Sequence, residues 1–152
     1  MGNDRAAAPH SRSPSQRPIT STRTQQGAEA EEVAARYLRR KGLCIVERNF
    51  SCRLGEIDIV AAAQSHSQQL LVFAEVRLRN QLDFGSGAES VTHRKQQKLV
   101  RAAKYYLLKQ GTAAADGGLP MCRFDVISMR HPNYTANAKW HIEWIQDAFE
   151  AI

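Results

Sequence analysis

Leu70 to Leu78 reads LLVFAEVRL, and no other segment restricts the fold as tightly. Apart from Glu75 and Arg77 every residue in it is apolar, which is too apolar for a surface strand. Such a run belongs at the centre of a sheet covered on both faces. Alternate side chains of a strand share a face, so Glu75 and Arg77 project together while Val72, Ala74, Val76 and Leu78 occupy the other side. A carboxylate in that position must be paired, hydrogen-bonded or metal-bound, because burying an ionised group alone costs several kcal/mol.

The rest of the chain supplies what such a sheet needs. From Gly27 to Lys41, Ala30, Val33, Ala34, Tyr37 and Leu38 recur at helical spacing, and Gly42 stands where a helix C-cap is expected. A short strand follows from Cys44 to Phe50. Another spans Glu56 to Ala62, with Ile57, Ile59 and Ala61 alternating against Glu56, Asp58 and Val60. Gln64 to Gln69 make a polar turn, which sets this strand antiparallel to LLVFAEVRL. Leu82 to Ser90 and Gly111 to Pro120 are loops around a second helix, Thr92 to about Lys109, whose inner face carries Leu99, Ala103 and Tyr106. Arg123 to Met129 reads as a further strand, and WHIEWI, from Trp140 to Ile145, as a last strand or the start of a terminal helix. Trp140 and Trp144 are expected in the core rather than as base-stacking platforms. The order helix, strands, helix, strand implies an α/β fold, a mixed sheet flanked by α-helices.

At 152 residues and 43% hydrophobic content the chain closes one core, leaving residues 1–26 as a disordered basic tail and 27–152 as the domain. Lysine and arginine number 21 against 15 acids, a net charge of +6 that favours a polyanionic partner. Four tail arginines (Arg5, Arg12, Arg17, Arg23) against Asp4 carry +3 of this; the tail is either a solvated extension or an aid to phosphate binding. The three cysteines, Cys44, Cys52 and Cys122, show no zinc spacing. With no apolar stretch of membrane-spanning length, no export signal, and Ala6 where a myristoylation motif wants Ser or Thr, the expectation is a cytoplasmic protein without membrane contact.

Asp58 lies one hairpin before Glu75. If the two converge, like charges demand a cation between them, either Arg77 in a structural ion pair or a hard metal such as Mg²⁺. Glu31 leans toward the buried stripe of its helix, although a carboxylate in a first helical turn can simply answer the macrodipole. Arg94, Lys98 and Arg101, with Lys95 and Lys104 beside them, line the second helix opposite Leu99 and Ala103, as a phosphate-binding stripe or an ordinary solvated face.

Taken in order and spacing, GAEAEEVAARYLRRKG, RNFSCRLGEIDIV, LVFAEVRLR, FGSGAESVTHRKQQKLVRAAKYYL and RFDVI resemble the bacterial YraN family. That family looks like a small member of the restriction-endonuclease-like, PD-(D/E)xK nuclease superfamily, akin to archaeal Holliday-junction resolvases. Its most specific element, Gly-Glu-Ile-Asp followed by Phe-x-Glu-Val-Lys, is matched here by Gly55 to Asp58 and Phe73 to Arg77. The resemblance implies a three-layer sandwich with Asp58, Glu75 and the Val76 backbone carbonyl as ligands to Mg²⁺ or Mn²⁺. It further implies Glu31 as the helix-borne acid, Lys95 as the basic residue of the following helix, and the homodimeric pairing common among resolvase-like relatives. Arg77 departs from the pattern, which has Lys there. Arginine keeps the charge and adds bidentate phosphate contacts, but with a pKa above about 12 it cannot act as a base. Lys95 or His93 would have to substitute.

Two functions follow as expectations. One is a metal-dependent endonuclease hydrolysing DNA phosphodiesters, with Arg77 stabilising charge on the phosphate and Arg94, Lys98, Arg101 and Lys104 tracking the backbone. The other is a catalytically impaired nucleic-acid-binding protein of the same fold, Arg77 being paired permanently with Glu75 or Asp58. A scaffold that touches no nucleic acid is a third, given the modest +3 of the folded part.

Overall fold

The computed structural model describes residues 23–64, 69–80, 91–111, 120–135 and 137–150. Helix α1 (Arg23–Arg40) leads into strands β1 (Cys44–Cys52), β2 (Gly55–Gln64) and β3 (Gln69–Arg79). Helix α2 (His93–Gln110), strand β4 (Met121–Arg130), a 3₁₀ turn (Pro132–Tyr134) and β5 (His141–Phe149) follow. The strands form one sheet in the order β1-β2-β3-β4-β5, so the apolar run does occupy its middle. β3 and β4 are parallel and the other pairs antiparallel. That parallel pair is joined through α2, as a parallel crossover requires.

Each face of the sheet is covered by one helix, giving an α/β three-layer sandwich. Ala30, Val33, Ala34 and Leu38 of α1 pack on Ile59, Ala61, Val72, Ala74, Ile127 and Met129. On the other face Leu99, Ala103, Tyr106 and Leu107 of α2 meet Phe50, Val60, Leu71, Phe73 and Phe124. The Phe73 ring lies 5.8 Å from Tyr106 and 5.7 Å from Phe124, so it joins helix to sheet. Truncating it to alanine would cost roughly 3–5 kcal/mol.

The caps of α2 fall where the sequence sets them. Thr92 Oγ1 accepts from the Lys95 N–H, and Gly111, at φ 60°, turns the chain out in the left-handed conformation. At the other helix, Gly42 (φ 91°) follows the last turn, with the Leu43 N–H donating to the Leu38 carbonyl at 3.1 Å. The start of α1 differs from expectation: Arg23 to Gln26, assigned to the tail, are helical. No proline lies between Pro18 and Gly27 to stop the helix, and Gly27 costs only about 1 kcal/mol there. Residues 1–22, most of the expected tail, lie outside the described residues, as do residues 81–90 and 112–119 of the two loops and residues 65–68 of the hairpin turn.

The alternation expected for β2 also breaks. Ile57 packs on the α2 side, whereas Ile59 and Ala61 face α1. Its partner strand explains this, because Asn49 adopts φ 53° between the pairs Arg48↔Ile59 and Phe50↔Ile57. One left-handed residue in β1 rotates the strand pair locally, and Asp58 stands at the point where the faces exchange.

WHIEWI resolves as a strand, β5. Trp140 and Trp144 are partly buried against the α1-side core, as expected, with Trp144 edge-on to Tyr37 at 6.3 Å. All three cysteines are free, and no described helix is long and apolar enough to cross a membrane.

Candidate functional site

The β2–β3 ladder runs to the pair Ile59↔Ala74. Asp58 and Glu75 stand at the next position on the two strands. There the Val76 N–H donates to Asp58 Oδ2 at 2.8 Å, which fixes the aspartate against β3. Glu75 points to the α2 side with its side chain only 3% exposed. Val76 thus enters the site through its N–H.

Two cations reach Glu75, and both approach the same oxygen. Lys95 Nζ of α2 lies 3.3 Å from Oε1 and Arg77 Nη1 3.8 Å from it. The second oxygen, Oε2, is buried without a hydrogen-bond partner. Lys95 also stands 3.7 Å from Glu56 Oε1, so one ammonium bridges the rim of the site and its floor. His93, the other substitute considered for the missing motif lysine, instead bonds Gln97 at 3.0 Å on the exposed side of the helix.

The electrostatics follow from this crowding. Burial, and then the charge of Asp58, push the Glu75 carboxyl up to about 7, against the pull of Lys95 and Arg77. Burial likewise raises Asp58, with Glu56 adding to the effect, while the Val76 N–H, Lys95 and Arg77 draw it down. Glu31 is raised as well, by burial first and Asp58 second, so its charge is felt at the site. Its side chain is hydrogen-bonded by Asn49, a residue that the sequence reading passed over. Asn49 carried one available signal, since asparagine is among the few side chains that tolerate positive φ. Among the described residues no three acidic, histidine or cysteine side chains close into a ready-made ligand cage. Asp58 and Glu75 form the inner pair, and Glu31 is linked to it through the charge of Asp58. Arg48, from the same strand as Asn49, is occupied by an ion pair with Glu32.

Arg94, Lys98, Arg101 and Lys104 are all exposed on α2, outside the acid pair. By their spacing they share one side of the helix, and along it three of them border two different hollows. Lys98 joins Lys95 and Glu56 in a hollow of about 280 Å³ closed on its far side by the β1–β2 turn, Arg53 to Gly55. Arg101 and Lys104 line a separate hollow of about 360 Å³ with His93, Gln96, Gln97 and Glu150. Gly55, in the Gly-Glu-Ile-Asp element, holds the first hollow in shape: a Cβ there would meet the Lys98 carbonyl oxygen at 2.8 Å. Only glycine lets the turn approach the helix so closely.

A second buried carboxylate, Asp125 on β4, was not foreseen beyond its place in RFDVI. Arg123 donates to both of its oxygens, Trp144 Nε1 donates to Oδ2 at 2.9 Å, and the Asp147 N–H to Oδ1 at 3.0 Å. The β4–β5 register shifts between Phe124 and Val126, and the carboxylate takes up the N–H that this irregularity turns inward.

Comparison with known proteins gives a consistent result. The family model described as "Uncharacterised protein family UPF0102" matches residues 30–129, which span every site residue named above from Glu31 to Lys104. A UPF0102 protein of Cupriavidus metallidurans is 42% identical over 134 residues, covering 88% of this chain and 87% of the relative. One from Hahella chejuensis is 46% identical over 123 residues, covering 81% and 88%. Another, from Methylobacillus flagellatus, is 40% identical over 127 residues, covering 84% and 98%.

Proposed function

Because the chain belongs to the UPF0102 family, whose description leaves its chemistry open, the function must be read from the site, and we propose a metal-dependent nuclease of the restriction-endonuclease-like kind that hydrolyses phosphodiester bonds in DNA. The observation that carries this reading is Glu75 Oε2, a carboxylate oxygen buried without a partner beside a second acid. Buried polar atoms of native proteins are nearly always paired, so an unpaired carboxylate oxygen beside a second acid is a natural ligand for a cation. Two carboxylates and a backbone carbonyl suit a small hard cation, which keeps waters and takes substrate phosphate oxygens for its remaining positions. Asp58, Glu75 and the Val76 carbonyl would hold Mg²⁺ or Mn²⁺, which when bound lowers the pKa of a water and neutralises phosphate charge.

The chain's own residues do the rest. Lys95 approaches Glu75 from α2 and supplies the ammonium that the motif position lacks, orienting a water and offsetting charge on the phosphate. Arg77 contributes fixed positive charge and cannot take a proton. Glu31, held by Asn49, accepts a hydrogen bond from the attacking water. The test is incubation of branched, nicked and single-stranded DNA with Mn²⁺. Cleavage is expected from the wild type and not from Asp58→Ala, and cleavage that persists in Asp58→Ala refutes the site.

The 3.8 Å approach of Arg77 to Glu75 favours a second reading, a protein of this fold that binds nucleic acid without cutting it. Arg77→Lys separates the two. Activity gained from zero supports the inactive protein, whereas loss from a measurable rate supports arginine-assisted hydrolysis.

A further inference from the structure

The hollow beside the acid pair is lined by two groups of residues. The β1–β2 turn contributes Cys52, Arg53 and Leu54, and α2 contributes Lys95 and Lys98, with Glu56 at the inner end. Glu56 and Lys95 also belong to the acid cluster, so the hollow adjoins it, with Lys95 reaching from the hollow to Glu75. Glu56 is engaged by Lys95. Arg53 and Lys98, both exposed, carry the hollow's remaining charge. Leu54 is 38% exposed at the tip of the turn, one of five large apolar side chains exposed among the described residues. The turn lies close against the helix at Gly55, where there is no space for a Cβ. A cationic wall, an apolar tip and a close approach of turn to helix suit a sugar-phosphate chain whose bases are not fully stacked.

We propose that this hollow seats the nucleic-acid strand next to the bond to be cut. Arg53 and Lys98 take the adjoining phosphate, and Leu54 lies against an unpaired base, which makes forked or branched DNA the substrate class. The inference deepens the nuclease reading and rests on it for the direction of the strand. The two fail separately, however, because the strand's seat is measured without cleavage.

The measurement is fluorescence anisotropy in EDTA, with a labelled forked oligonucleotide and a blunt duplex of equal length. It compares wild type, Arg53→Ala/Lys98→Ala, Leu54→Ala and Arg101→Ala/Lys104→Ala, each confirmed as folded by thermal melting. The hollow's double variant is expected to bind the fork about tenfold more weakly, with the slope of log K against log salt reduced by about 2, one for each charge removed. Leu54→Ala is expected to erase the preference for fork over duplex while leaving the salt slope unchanged. The Arg101/Lys104 variant is expected to lose less on the fork than the hollow's variant. Fork binding and salt slope unchanged in Arg53→Ala/Lys98→Ala would overturn the proposal, as would a fork preference that survives Leu54→Ala. Asp58-dependent cleavage combined with unchanged fork binding would overturn the seat alone. Absence of Asp58-dependent cleavage would overturn the nuclease reading while the anisotropy still decides the seat.

Discussion

Glu75 and Asp125 sit on neighbouring strands, one register step apart, since Asp125 is paired with Ala74 and Glu75 with Val126. Both are buried, yet they are built in opposite ways. Asp125 is saturated: Arg123 grips it from the same strand, Trp144 and the Asp147 N–H close over it, and both oxygens accept hydrogen bonds. Glu75 has two cations crowding one oxygen and none on the other, with a like charge next to it. A saturated buried acid ties elements together. An acid held unsaturated costs stability that the fold must supply elsewhere, and that cost marks a place kept open for something else.

The largest effect expected from this contrast is at Asp125. Asp125→Ala leaves the Arg123 guanidinium and the Trp144 N–H without their acceptor, and should lower unfolding free energy by roughly 3–5 kcal/mol in urea melts. A loss under about 1 kcal/mol would place Asp125 with ordinary surface acids.

Glu75→Gln should act in the opposite sense. With the folded carboxyl near 7 and the unfolded one near 4.5, the folded state holds the proton more tightly. Stability from this group is therefore complete below about pH 4.5 and falls as pH rises through 7, by roughly 3 kcal/mol at most. In EDTA the glutamine variant should melt higher than wild type at pH 8, and the gain should shrink toward pH 4.5. A variant less stable than wild type at pH 8 would mean that Glu75, like Asp125, is bonded for structure.

The smallest effect concerns Lys95. Because its charge draws Glu75 down, Lys95→Met should move the Glu75 midpoint further above 7, as followed by carboxyl NMR in EDTA. No movement, or a fall, would remove Lys95 from the cluster.

The sequence revealed much of this because burial is written in apolar periodicity. LLVFAEVRL could only be central, and a glutamate inside it could only be a problem that the fold had to solve. Gly42 marked the end of α1 through capping chemistry, and helical spacing placed α2 from Thr92 to about Lys109, within a residue of its observed ends. The convergence of Asp58 with Glu75 followed from the hairpin, and the presence of Lys95 followed from the family pattern. Period-two alternation failed at Ile57 and Ile59 because a single left-handed residue, Asn49, lies on the partner strand, where β2's own pattern carries no trace of it. Asp125 was opaque for a related reason. Its partners Trp144 and Asp147 lie on a different strand, and their arrival depends on a register shift in β5. The β1–β2 turn packs against Lys98, within the basic stripe of α2, a tertiary contact whose local sign is Gly55.

The central claim is that Asp58 and Glu75 hold one divalent cation between them, and thermal melting during a Mn²⁺ titration tests it before any substrate is known. Melting temperature should rise with metal in the wild type, by the equivalent of about 2.7 kcal/mol when the ion is a hundredfold above its Kd, and should stay flat in Asp58→Ala. A wild type indifferent to Mn²⁺, or an equal rise in Asp58→Ala, would contradict it.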